Sequence, residues 1–241
     1  METIFLLNTQ SIMEQNEQVR LSALSNATML SAIGVTLMYG LSVLLALLAP
    51  DSPAVAVVSL VGLILWLVGM YNTSMTLKGY NGAVAASFEQ LFKAQLSIAI
   101  AAVAYVVLII LVPQVLGYSG YKTSIVIIKL LTIALFVCTI TYVARSNDEC
   151  RKLKLRGLKS MGSVSVAFTI QLVILAVCAL VALIALFRTE DFFSFLFRNG
   201  FGGVAVLTIL IGLAALVAAV FMIIGWWNVR SELAQLPADE E

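Results

Sequence analysis

The sequence predicts an all-α polytopic integral membrane protein, with six transmembrane helices arranged as three helical hairpins and amphipathic cytoplasmic interfacial helices. Three observations carry this fold class. First, 11% of the 241 residues are charged, 61% are hydrophobic, and the mean hydropathy is +1.05. A soluble domain carries about 25% charged residues, and too much of its surface faces water to hide so much apolar matter. Second, the apolar residues gather into six runs, each close to the ~20 residues that carry a helix across ~30 Å of hydrocarbon at 1.5 Å per residue. An open chain satisfies its backbone polar groups in lipid only as a helix. Third, Lys and Arg are sorted between alternate connections, as spans that reverse direction require.

Residues 1–27 form an N-terminal cytoplasmic or interfacial segment. "METIFLLNTQ" lacks a basic n-region, and its apolar patch, Ile4–Leu7, is shorter than an h-region, so no cleavable signal is expected. Ile12 to Leu24 is a weak amphipathic stretch. The transmembrane domain covers 28–227, with spans at about 28–49, 53–71, 94–116, 123–144, 164–187 and 203–227. "PDSP" after the first span and "GYSGYK" after the third are built of turn residues, so each closes a hairpin. The connection between spans five and six is longer, and its centre, "DFFSFLF", suits the membrane interface. Before the third span, Val84, Phe88, Leu91 and Phe92 recur at i, i+4, i+7 and i+8, which makes one helical face. After a break at Asn81-Gly82, that helix is expected to lie in the membrane plane. Residues 228–241 form a cytoplasmic tail.

The even spans end alike, as "YNTS" (Tyr71–Ser74), "YVARS" (Tyr142–Ser146) and "WNVRS" (Trp227–Ser231). This raises a threefold hairpin repeat, although aromatic and polar residues also close unrelated spans.

The connection after the fourth span holds Arg145, Arg151, Lys152, Lys154, Arg156 and Lys159, six of the chain's 14 Lys and Arg. If it is cytoplasmic, Arg20, Lys78, Lys93 and Arg230 share its side, against Lys122, Arg188 and Arg198 opposite. Ten against three follows the positive-inside rule and places both termini in the cytoplasm. The same six residues form a candidate patch for anionic lipid, at about 1 kcal/mol per basic residue near the surface. Short loops and the lack of a signal fit a bacterial or archaeal inner membrane. The sequons at Asn26 and Asn72 fall on the cytoplasmic side and are discounted.

Several chemistries lack their usual residues. The chain has no histidine, the commonest general base and transition-metal ligand. No Asp or Glu falls inside a predicted span, where carboxylates serve as proton relays and cation sites. There is no Walker or dinucleotide-type glycine loop. Cys138, Cys150 and Cys178 read as small thiols in helix packing, not as a disulfide framework. A net charge of +1 does not suit nucleic acid. No catalysis, cofactor, metal or nucleic acid is therefore expected.

Lys129 and Gln171 form the candidate intramembrane polar site. Lys129 lies about 9 Å past the start of its span at 1.5 Å per residue, shallow enough to snorkel or to hold a ligand inside the bundle. Gln171 is costly in lipid and should face another helix. Most of Thr36, Ser42, Ser59, Thr132, Thr139, Thr141, Thr169 and Thr208 are expected to bond between helices. Gly212, Ala214, Ala215, Ala218 and Ala219 form a candidate helix-packing face. Trp66, Trp226 and Trp227 are expected in the interfacial aromatic belt. The functional expectation is a non-catalytic accessory or scaffolding subunit that packs against other membrane proteins, itself or lipid. The alternative is a channel or transporter for a small neutral or lipid-like solute.

Overall fold

A computed structural model describes residues 2–49, 52–116, 121–187 and 201–236. All of its elements are helices, and no strand occurs among the described residues. In chain order they are α1 (Glu2–Val35), a π-helical segment (Thr36–Leu41), α2 (Ser42–Leu48), α3 (Pro53–Leu77), α4 (Gly82–Leu116), α5 (Tyr121–Leu155), α6 (Met161–Phe187) and α7 (Phe201–Leu233). Six stretches are long and apolar enough to span a membrane: Glu17–Leu45, Pro53–Leu77, Gly82–Leu116, Thr123–Leu155, Met161–Ile184 and Ile209–Leu233. The second opens as its sequence suggests, with Pro53 in the first turn and the Ser52 hydroxyl accepting from the Ala54 N–H at 3.3 Å.

The helices are longer than the apolar runs. α4 and α5 have 35 residues each, about 50 Å at 1.5 Å per residue. The polar stretches expected as long connections are mostly helix, and the turns shrink to 78–81 and 156–160. Arg, Lys and Leu are strong helix formers, so "RKLKL" prolongs α5 until Gly157, whose φ of +105° suits glycine alone. Likewise the stretch expected as a separate helix before the third span is the first part of α4. Nothing breaks the chain between Leu91 and Gln95, so α4 is continuous. Its face of Val84, Phe88 and Leu91 is buried in protein, while Phe92 is half-buried beside the Tyr71 ring. The stretch in 188–200, with "DFFSFLF" and Arg198, and the side chains of Lys122, Arg188 and Thr208 lie outside the described residues.

The described residues fall into two compact units. The first lies within Met1–Phe92, Glu149–Val164 and Met222–Glu241, the second within Lys93–Asp148 and Ser165–Phe221. In the first unit α1 packs antiparallel on α3. A Cβ on Gly34 would lie 2.4 Å from the Trp66 backbone nitrogen, and one on Gly62 2.7 Å from the Gly34 carbonyl oxygen. A Cβ on Gly69 would strike the Ser31 hydroxyl at 2.3 Å. Small residues on facing helices thus let the backbones touch where lipid supplies no hydrophobic drive.

In the second unit Gln95 bonds to Ser146 and Tyr105 to Thr132, so α4 and α5 run antiparallel there. The similar span ends do not share an environment. Ser74 and Ser146 are buried, whereas Ser231 is exposed and bonds to the Asn228 carbonyl of its own helix.

Gly34→Ala is expected to lower stability by about 1–3 kcal/mol through overpacking. Gly212→Ala, where a Cβ meets no described atom within 4 Å, is expected to be neutral. Thermal unfolding of both proteins in detergent checks the contrast.

Candidate functional site

Polar side chains in a low-dielectric environment are costly unless bonded. In the second unit several of those described pair with one another. Gln95 Nε2 donates to Ser146 Oγ at 2.8 Å, and Ser146 Oγ donates to the Tyr142 carbonyl at 2.9 Å. Asn147 joins α5 to α6 twice: its Oδ1 accepts from Ser165 Oγ at 2.6 Å, and its Nδ2 donates to Thr169 Oγ1 at 3.1 Å. The Tyr105 and Thr132 hydroxyls meet at 2.7 Å. Lys129 and Gln171 belong to this unit, and both are half-buried and engaged by other groups.

The hydroxyls predicted to link helices divide. Thr36, Thr132 and Thr169 do so, through Trp227, Tyr105 and Asn147. Ser42, Thr139 and Thr141 instead bond the carbonyls of Met38, Leu135 and Val137, four residues back on the same helical run. That local bond is always within reach of a helical Ser or Thr and competes with the interhelical one.

The basic segment is partly structural. Arg145, Arg151, Lys152, Lys154, Arg156 and Lys159 are all exposed. Yet Arg156 Nη1 donates to Ser87 Oγ at 2.8 Å and to the Ala83 carbonyl, fastening the α5–α6 turn to the start of α4. Lys152 Nζ pairs with Glu149 at 2.6 Å.

The predicted small-residue face on α7 splits. Ala218 and Ala219 are buried and Ala214 is half-buried, but Gly212 and Ala215 are exposed. At 100° per residue 212, 215 and 219 lie within about 60° of one another, so the split follows position along α7, with burial beginning at Ala218. The close approach of α7 comes at Gly225, where a Cβ would lie 2.5 Å from Val164 Cγ2.

Two of the three tryptophans are not belt anchors. Trp66 and Trp226 are 1% and 0% exposed. Their rings meet edge to face at 6.1 Å and 86°; Tyr39 closes on Trp66 at 6.3 Å, and Phe88 on Trp226 at 6.3 Å. Among the described residues neither indole Nε1 has a hydrogen-bond partner. Burial of the two large rings against other rings offsets the cost of leaving these N–H groups unbonded. Trp227 is 46% exposed, and its Nε1 donates to Thr36 Oγ1 at 3.0 Å.

Glu232 is the residue that sequence reasoning missed. Both its carboxylate oxygens accept from the Ser160 N–H at 3.0 Å, and Oε2 also accepts from Ser160 Oγ at 2.6 Å. Ser160 immediately precedes α6, so an acid from α7 sits at the start of a helix, where its charge complements the dipole and orphan N–H groups. Serine before an apolar run is a readable helix start, but nothing local says which distant acid will meet it.

No protein-family model, curated protein or solved structure matches the chain. Among the described residues no cluster of His, Cys, Asp or Glu could hold a metal ion.

Glu232→Ala leaves the mostly buried Ser160 N–H without its acceptor and is expected to cost about 1–3 kcal/mol. Cys150, 0% exposed in the same unit, is expected to resist a thiol reagent in the native protein and to react faster in this variant. Mass spectrometry of the labelled protein reads both outcomes.

Proposed function

We propose that this chain is a non-catalytic multi-pass membrane protein, an accessory or scaffolding subunit whose spans pack against other membrane proteins or lipid. The observation that carries the reading is how little the later spans bury in one another. In the apolar 18-residue stretch of α4 no residue is buried, and the shares for α5 and α6 are 6% and 11%. Ile100, Val103, Val106 and Ile110 are each more than half exposed. Apolar side chains on so much of a helix's circumference offer a contact surface for lipid or for other apolar helices. In lipid the gain on association comes from packing and interhelical bonds rather than from escape from water.

The absence of histidine, and of acids from the six apolar runs of the sequence, supports a non-catalytic role. The pairing of Gln95, Ser146, Asn147, Ser165 and Thr169 supports subunit packing over the transporter alternative, because polar groups already bonded to one another have less to offer a solute. The ten-to-three split of Lys and Arg supports cytoplasmic termini in a bacterial or archaeal inner membrane.

Native mass spectrometry of the protein extracted gently from its own membrane tests the reading. A stoichiometric second membrane protein, or a defined homo-oligomer, is expected. The chain alone with a bound small solute would contradict it.

A further inference from the structure

We propose that a cleft between α1 and the end of α7 binds the phosphate of an anionic phospholipid. The cleft has a volume of about 330 Å³, within the range of small-ligand sites. It lies where two spans give way to polar sequence, close after Glu17 at the start of the first and up to Leu233 at the end of the sixth. Span ends of this kind meet lipid headgroups. Leu21, Leu24 and Ala234 supply apolar wall, and the Trp227 ring forms a further side. The ring is held by its bond to Thr36, the first residue of the π-helical segment. Such segments often accompany functional sites.

The polar lining is Arg230, Ser25 and Ser231. Arg230 is exposed, and among the described residues no carboxylate pairs with it. Two acids on the same helices are committed elsewhere. Glu232 holds Ser160, and Glu17 pairs with Arg20 at 3.6 Å. Arg20 in turn stacks over the Tyr80 ring at 3.5 Å. The Ser25 hydroxyl has no hydrogen bond among the described residues, whereas Ser231 Oγ donates to the Asn228 carbonyl at 2.8 Å. Arg230 and Ser25 are therefore the donors that face an occupant. A planar guanidinium suits the paired oxygens of a phosphate, and a tryptophan beside it suits the glycerol and upper acyl region. The apolar wall favours a lipid phosphate over a free one. No residue of the basic segment at 145–159 lines the cleft, and the proposal does not depend on a protein partner.

The test uses the full chain reconstituted in phosphatidylcholine vesicles. Phosphatidylglycerol brominated on its acyl chains is titrated against equally brominated phosphatidylcholine, and tryptophan fluorescence is followed. Trp66 and Trp226 are buried, so quenching reports chiefly on Trp227. Selective quenching by phosphatidylglycerol is expected. Arg230→Gln should weaken that preference about five-fold, from about 1 kcal/mol per basic residue at an anionic surface. Ser25→Leu, which fills the cleft and keeps the charge, should weaken it too. Lys159→Gln should leave it unchanged. Absence of a preference, equal losses in Arg230→Gln and Lys159→Gln, or full preference in Ser25→Leu would each overturn the proposal. So would abolition of the preference by inorganic phosphate at a concentration too low to screen charge, which would mark a site for a soluble anion.

Discussion

The first unit depends on the burial of Trp226. The last turns of α7 place Met222, Trp226, Val229 and Leu233 at i, i+4, i+7 and i+11, all between 0% and 2% exposed. That stripe turns the indole onto Trp66 of α3 and Phe88 of α4. Gly225, beside it, lets α7 approach Val164 at the start of α6, and Glu232 fastens the turn before that helix. One helical face thus gathers segments distant in sequence. Aromatic pairs in this geometry add about 0.5–1.5 kcal/mol beyond the area they bury. A neighbouring side of the same turns, about 120° round the helix, carries Trp227, Arg230, Ser231 and, just beyond, Ala234, which line the cleft. Adjacent tryptophans therefore serve opposite purposes because a helix turns about 100° per residue.

The spans were legible because membrane solvation is a coarse constraint. Some twenty apolar residues in a row have few other ways to be stable, and Ser52-Pro53 marks a helix start in the sequence itself. The ends were less legible. Hydropathy finds where lipid stops, not where the helix stops, and "RSNDECRKLKL" is polar and helical at once. Packing partners were harder still. Trp66 and Trp227 look alike to a rule that counts aromatics near span ends, yet one is core and the other surface. The glycines that bring α1 against α3 escaped a search for small residues four apart, because the contact alternates between two helices. Glu232 acts at Ser160, 72 residues away, and no local pattern encodes that.

Much of the polar inventory is bonded within the protein. Gln95, Asn147 and several of the hydroxyls are spent on other helices or on their own backbone. Arg156 and Lys152, in a segment that reads as a surface patch, are tied to Ser87 and Glu149. The groups left facing outward are mostly apolar along α4, α5 and α6, with charge at the helix ends. Association with neighbours in the bilayer is a natural use of that distribution, and Arg230 with Ser25 is the place where it departs from simple packing.

The account rests on Trp226 as the centre of the packed unit and on Trp227 as a surface residue. Thermal unfolding of Trp226→Ala and Trp227→Ala in one lipid mixture compares them directly. The packing predicts a loss of about 3–5 kcal/mol for Trp226→Ala and under about 1 kcal/mol for Trp227→Ala, an exposed substitution that gives up one hydrogen bond. Equal losses, or a larger loss at Trp227, would contradict it.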